Sequence, residues 1–209
     1  TSSAGLDGPG KSPETSVIVV GYGRFGQTAA QMLMAKGVAV TLIDTEPEMI
    51  ETAGRFGTKV YYGDGMRIDL LRLAGAETAK AILFCNDNRD GGLTREAIKR
   101  VLETFPHAAV LVRAFDRVHL MSFDGLDIAF AQREMFESAI KMGRAALEMI
   151  GLTAEQVDEV DFEYRLRDCQ RVELQSASGD LRAGLDRSFA PNRALPQNGN
   201  SDHSAEEVG

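Results

Sequence analysis

The chain predicts an α/β fold: a doubly wound parallel sheet of the Rossmann type, followed by a dimerisation helix and a peripheral helical segment. Three observations carry this. From Ser16 onward, short β-branched runs alternate with helix-length stretches; the first run ends in a glycine-rich turn; and the second ends in an acid. Strands alternating with helices at this spacing imply a parallel sheet with helices on both faces.

In chain order, the strand-like runs are 17–20, 38–43, 59–62, 81–84 and 110–112, with a short sixth near 128–130. Helical patterns fall between them at 25–36, 47–55, 67–74, 91–104 and 116–123. The segment 132–150 then breaks the alternation with two adjacent apolar stripes, Phe136, Ile140, Gly143, Leu147, Ile150 and Met135, Ala139, Met142, Ala146, Met149. Two stripes make a face wide enough to need two covering surfaces. A helix deep in its own core would satisfy them. So would a helix shared with a partner subunit, and its place after the completed sheet favours the latter. The expected interface is Met135, Phe136, Ala139, Ile140, Gly143 and Leu147.

The domain plan is a flexible Gly/Ser/Pro-rich linker over 1–15, a nucleotide-binding domain over 16–152, a peripheral helical segment over 153–184 and a disordered acidic tail over 185–209. Phe162, Leu166, Cys169 and Val172 share one face of the peripheral segment. The chain opens on Thr rather than Met and reads as part of a longer protein.

Composition narrows the class. Of 209 residues, 44% are hydrophobic and 26% charged, and no run approaches the ~18 apolar residues of a membrane span. The net charge of −8 is concentrated beyond residue 150, where 6 basic residues face 12 acidic ones. No basic stripe follows a phosphate backbone, so nucleic acid is not an expected partner. The two cysteines, Cys85 and Cys169, lack metal spacing and imply packing or a reducing compartment.

The turn Gly21-Tyr22-Gly23-Arg24-Phe25-Gly26 gives G-x-G-x-x-G between the first strand and a helix. In that context the first glycine makes the tight turn, the second admits a pyrophosphate and the third lets helix and strand pack closely. Arg24 then stands in the first helical turn, where the dipole disfavours a cation by roughly 0.3–1 kcal/mol. An incoming anion would explain it. Asp44, with Thr45 beside it, ends the second strand, where an acid hydrogen-bonds ribose hydroxyls and repels a 2′-phosphate. NAD(H) or AMP is therefore favoured over NADP, with a helix cap as the plainer role for Asp44. Asp64 and Gly65 after the third strand, and Asn86 and Asp87 after the fourth, point to the same crevice, although a turn and a cap would also account for them.

A dehydrogenase needs a substrate domain and an acid–base residue over the nicotinamide. Here only two helical segments and a tail follow the sheet, and the three histidines, His107, His119 and His203, occupy loop, surface-helix and tail positions. No Cys–His pair, H-E-x-x-H or G-x-S-x-G occurs. The nucleotide is expected to be bound and not turned over, and no metal site is expected.

The stretches "VIVVGYGRFGQ", "KVYYGDGMRIDLLRLAGAETAKAI", "CNDNRD", "FPH" and "REMFESAIKMGRAALE" resemble the KTN or RCK N-terminal (TrkA-N) regulatory module of Kef-type glutathione-regulated potassium efflux antiporters, over about 17–152, with a weaker echo in "FEYRLRDCQRV". The resemblance implies a homodimer with a crossing helix, on the cytoplasmic face of the bacterial inner membrane. The partners it implies are the membrane transport domain of a potassium:proton antiporter and an ancillary flavodoxin-like quinone reductase subunit. Its implied ligands are NAD(H) or AMP and, in the Kef branch, glutathione held partly through the arginine at the position of Arg24. Kef relatives carry a further arginine before the last strand. Here "HLMSFDGLDIAF" has no basic residue after Arg117 except His119, which leaves Arg24 as a lone cation and glutathione affinity low. A free-standing TrkA- or KtrA-type gating subunit of a potassium uptake system is the alternative reading, and an NAD-dependent oxidoreductase is a third.

Overall fold

A computed structural model of the chain describes residues 15–55, 57–87 and 92–195. Most of the expected linker, the segment 196–209 and His203 fall outside these residues. The chain divides into two compact units, Thr1–Glu137 and Ser138–Gly209, so the sheet-bearing unit ends fifteen residues before the expected boundary at 152.

In the first unit, β1 (Val17–Val20) and β2 (Val40–Asp44) are buried at every position. Strands covered on both faces read as continuous apolar runs, and these do. Successive residues of β1 enter different cores. Ile18 and Val20 join Leu71 of α3 (Ile68–Leu73) and Ile98 and Val101 of α4 (Arg95–Thr104). Val17 and Val19 join Ala30 of α1 (Arg24–Met34) and Ala53 of α2 (Pro47–Arg55). Side chains alternate across a strand, so α1 and α2 cover one face of the sheet and α3 and α4 the other. With β3 (Lys59–Tyr62), β4 (Ala81–Phe84), β5 (Ala109–Ala114) and β6 (Phe130–Arg133), the order is β3-β2-β1-β4-β5-β6, and every pair is parallel.

Two strands differ from their expected bounds, each for a local reason. β2 begins at Val40 and not at 38, because α1 closes with Gly37 at φ +70° and the Val38 N–H donating to the Leu33 carbonyl at 3.2 Å. The last strand is Phe130–Arg133, not 128–130: Ala129 N–H reaches Val110 O and Glu134 N–H reaches Ala114 O, both at 2.9 Å. The carbonyls of β5 thus claim Gln132 and Arg133, which the apolar stripes assign to a helix, and α6 spans Phe136–Met149. Arg133 instead stacks its guanidinium 3.7 Å from the Phe136 ring centroid. α5 (Arg117–Met121) is capped by Asp116, which accepts the His119 N–H at 2.8 Å.

The second unit holds most of α6 and the long α7 (Ala154–Ser178), which starts on a reciprocal Thr153–Gln156 capping box and ends at Gly179 in the left-handed conformation. Arg144 of α6 ties the two helices through Asp158 at 2.6 Å and Asp161 at 2.9 Å. α6 has no fully buried residue. Its Phe136, Ile140 and Leu147 are half-buried, while Ala139, Met142, Gly143, Ala146 and Met149, like Met135 just before the helix, are exposed. On α7 the covered positions are Val157, Asp168 and Gln175, and the apolar face expected there is turned the other way, with Phe162, Leu166 and Cys169 exposed. Nor is the start of the tail structureless. Leu185–Arg187 and Pro191–Arg193 form 3-10 turns, held where Arg167 stacks 4.1 Å from the Phe189 ring centroid and Arg171 Nη1 donates to Ser188 Oγ at 3.1 Å.

Gly26 sits in α1 directly against the turn at Gly21. A Cβ there would stand 1.9 Å from the Gly21 carbonyl oxygen, whereas one at Gly54 in α2 would meet nothing within 4 Å. Gly26→Ala is therefore expected to lose about 1–3 kcal/mol of stability to overpacking, outweighing a helix-propensity gain of at most about 1 kcal/mol. Gly54→Ala should keep that gain. Urea unfolding of both variants checks this, and a Gly26→Ala protein as stable as the wild type would contradict the close packing.

Candidate functional site

The order of helix faces reverses between β1 and β4, and in open α/β sheets ligands lie beyond the strands' carboxyl ends at such a reversal. A cleft of about 870 Å³ opens there. Its first wall is the glycine turn. Gly21 takes φ +89°, its N–H donates to the Ile43 carbonyl at 2.8 Å, and a Cβ on it would come within 2.7 Å of Asn86 N and Cα. Only glycine lets the turn lie so close to the end of β4. Gly23 is different: its φ is −67° and a Cβ would meet nothing within 4 Å, so its bareness leaves room above the helix start. α1 begins there with no side-chain cap and no acid in its first turn. Its leading N–H groups are a ready anion cradle.

The second wall is Asp44, 9% exposed. Its Oδ2 accepts the Tyr22 N–H at 2.5 Å and its Oδ1 accepts the Glu46 N–H at 2.7 Å. One carboxylate thus ties the glycine turn and the residue before α2 to the end of β2, the position from which the sequence expects it to meet ribose hydroxyls. A carboxylate has about four lone-pair sites, so two remain for hydroxyls. Further round, Asp64 Oδ1 accepts the Met66 N–H at 2.9 Å, and Gly65 lies so close to Val20 that a Cβ would meet its Cγ1 at 2.3 Å. Asn86 lines the cleft, and its Oδ1 is buried with no hydrogen-bond partner.

Of the residues singled out from the sequence, Gly21, Gly23, Arg24, Phe25, Asp44, Thr45, Asp64, Gly65, Asn86 and Asp87 line this one cleft. Tyr22 and Gly26 do not. The Tyr22 side chain is buried in the core under α1 and α2, and Gly26 packs beneath the turn, so both shape the loop without facing a ligand. Arg24 is exposed on the rim, and its guanidinium pairs with no acid among the described residues.

Sequence reasoning missed Gln27, Met49, Arg113 and Glu134 as lining residues and assigned Met135 elsewhere. Gln27 Nε2 donates to the Tyr22 carbonyl at 3.1 Å and approaches Met49 Sδ at 3.5 Å. Arg113 corrects the expectation that Arg24 stands alone. It reaches the cleft from β5 with Nη1 donating to the Cys85 carbonyl at 2.9 Å, Nη2 2.5 Å from Glu134 Oε1, and the guanidinium 5.1 Å from the Phe25 ring centroid. The available signal was a charge inside an apolar strand, "VLVRA", since a buried charge requires a partner.

His107 Nε2 lies 3.0 Å from the Ala76 carbonyl and its ring stands edge-on to Phe105. His119 Nδ1 accepts the Phe115 N–H at 3.1 Å while Nε2 meets the Leu93 carbonyl at 2.9 Å. Both are engaged with backbone away from the cleft lining. Among the described residues, no group of three or more His, Cys, Asp and Glu could hold a metal ion.

A family model described as the TrkA-N domain matches residues 17–131, more than half of the chain. The chain belongs to the TrkA-N domain family. Beyond it, this TrkA-N chain is 38% identical over 167 residues to a glutathione-regulated potassium-efflux system protein of Haemophilus influenzae, covering 79% of the chain and 26% of the relative. It thus spans about a quarter of the length of that curated relative. Among solved structures it is similar to the Shewanella denitrificans Kef CTD in AMP-bound form, with 31% identity, a TM-score of 0.68, and coverage of 78% of this chain and 98% of that one. The GsuK channel bound to NAD shares 25% identity at a TM-score of 0.51, over 65% of this chain and 24% of that chain. The resemblance to Kef-type regulatory modules and the Rossmann-type sheet with its C-terminal helices both agree with these matches.

Cys85, buried at the end of β4, gives the TrkA-N cleft a checkable chemical property. Burial pushes its thiol up to about 12, although the charge of Arg113 pulls the other way. At pH 8 the thiolate fraction is then about one in ten thousand, and the thiolate is the reactive species. A disulfide-exchange reagent should modify native Cys169 and spare Cys85 until the protein unfolds. Cys169 should itself react more slowly than a free cysteine, because partial burial and the Glu173 carboxylate raise its pKa. Mass spectrometry of labelled native Cys169→Ser checks this, and rapid labelling of that variant would overturn the burial of Cys85.

Proposed function

We propose that the chain is the cytosolic ligand-sensing domain of a Kef-type potassium:proton antiporter, which binds AMP or NAD(H) in the cleft and gates potassium efflux. The observation that carries this is the coupling of an open, uncapped helix start at Gly23 and Arg24 to the buried Asp44 carboxylate. Together they supply a phosphate cradle and a ribose acceptor in one rigid unit. The AMP-bound Kef domain and the NAD-bound GsuK channel support the choice of ligand. The engagement of both described histidines with backbone supports a binding role without turnover. No helix among the described residues is long and apolar enough to cross a membrane, so the transport domain is a partner outside them. Glutathione, the regulator named in the efflux relatives, is a second anionic ligand for the Arg24 rim.

Titration calorimetry should give NADH at least about tenfold tighter binding than NADPH, because Asp44 repels a 2′-phosphate. Arg24→Ala should weaken AMP by roughly 1.5–3 kcal/mol, the worth of a hydrogen bond to a charged group, and leave stability unchanged or slightly higher. Equal affinity for NADH and NADPH would remove Asp44 from the site. An Arg24→Ala protein that is destabilised yet binds AMP normally would make Arg24 structural.

The domain acts as a homodimer through α6. The half-buried Phe136, Ile140 and Leu147 stripe is served within the chain, while Met142 at 75% exposure and its neighbours Ala139 and Ala146 await a second surface. Met142→Asp should barely affect the fold of one subunit, since the position is solvent-exposed. In a dimer it buries an unpaired charge, at a cost of several kcal/mol. Light scattering should therefore report a dimer for the wild type and a monomer for Met142→Asp. A wild type that is monomeric at high micromolar concentration would refute the interface.

A further inference from the structure

A sheet in the order β3-β2-β1-β4-β5-β6 has two nucleotide halves, and a dinucleotide crosses from one to the other at the switch between β1 and β4. The half over β1, β2 and β3 holds the glycine turn, Asp44 and Asp64, which suffice for one nucleoside monophosphate. The half over β4, β5 and β6 is lined by Cys85, Asn86, Arg113 and Glu134. The ligand-binding cation of that half is already engaged by the chain itself. Arg113 and Glu134 have side chains only 9% and 18% exposed and approach within 2.5 Å, and Arg113 is also held by the Cys85 carbonyl at 2.9 Å. Such a pair is hard to open, because separating buried partners leaves an uncompensated charge. It can be opened only by a ligand that brings its own anion or hydroxyls to the guanidinium.

We propose that Glu134 is a specificity-setting residue of this cleft: it holds Arg113 back, so that a mononucleotide binds with the ion pair intact while a dinucleotide binds only by drawing Arg113 away from Glu134. This rests on the nucleotide reading above and names the class that the cleft prefers. Glu134 does not touch the ligand; it acts by positioning Arg113. Glu134 and Met135 are also the only residues between β6 and α6, so a dinucleotide that opens the pair releases the segment leading into that helix, and AMP does not.

The test is the ratio of affinities for AMP and NADH, measured by calorimetry on the wild type and on Glu134→Gln, which keeps an acceptor for Arg113 and removes the competing charge. NADH affinity should rise about tenfold more than AMP affinity, the scale of one charge-assisted hydrogen bond. A merely structural role for Glu134 would move both ligands together and lower the melting temperature of the ligand-free protein. An unchanged ratio in the variant, with AMP bound normally by the wild type, overturns this proposal alone. A wild type that binds neither nucleotide overturns the nucleotide reading and this proposal with it. If Glu134→Gln does not fold, Glu134→Asp keeps the charge and shortens its reach; the ratio should shift in the same direction, and an unchanged ratio there overturns the proposal equally.

Discussion

The Asp44 carboxylate accepts backbone N–H groups from Tyr22 and Glu46, and so fastens the turn after β1 and the entry to α2 to the last residue of β2. A hydrogen bond to a charged group contributes about 1.5–3 kcal/mol, and losing the acceptor would leave buried N–H groups unsatisfied. The rest of the cleft follows from this fastening. With the turn held against β2, Gly21 abuts the end of β4, Gly26 tucks beneath the turn, and α1 starts where its first N–H groups face open space. The site is thus built on the rigid centre of the sheet, and its loops have little freedom to lose when a ligand arrives.

The remaining polar groups near the sheet are engaged by the chain itself. His107 Nε2 and both ring nitrogens of His119 meet backbone groups. The Cys85 thiol is held protonated by burial. What the first unit does offer is a route outward: β5 brings Arg113 to the cleft, and Arg113 grips the residue after β6, two positions before α6 begins. The second unit carries its own polar lock, Arg144 between Asp158 and Asp161, on the helices whose apolar residues stay most exposed.

The half of the site over β1 and β2 was legible in the sequence because its signals are local. A strand, a glycine turn and a strand-end acid each announce themselves within a few residues, and their spacing is dictated by one βαβ unit. The half over β5 and β6 was not. "FAQR" has no strand periodicity, and becomes β6 only because Val110 and Ala114 present carbonyls to the residues flanking it. Arg113 was visible as a charge in an apolar strand, but its partner lies twenty-one positions on, and no local rule joins them. On α7, hydrophobic periodicity pointed to the wrong face, because the covered side is held by polar groups, with Gln175 donating to the Leu181 and Ala183 carbonyls. Composition likewise marked the stretch from 185 as disordered. The Phe189 ring against Arg167 is enough to order its first turns.

The charge lining the cleft has a kinetic consequence. Arg24 and Arg113 face Asp44, Glu46, Asp64, Asp87 and Glu134, two positive groups against five negative, a formal excess of three negative charges around a site read as taking anions. Long-range steering, which speeds encounters between opposite charges, therefore works against entry, and the repulsion is largely screened beyond the Debye length of about 8 Å at physiological ionic strength. Arrival of an anion is therefore not helped by attraction from the cleft lining. For any anionic ligand, discrimination would then reside in how long each stays, through short-range contacts with the cleft lining. A site of this kind samples its ligand pool sparsely and holds what fits, so its occupancy averages over brief fluctuations in concentration.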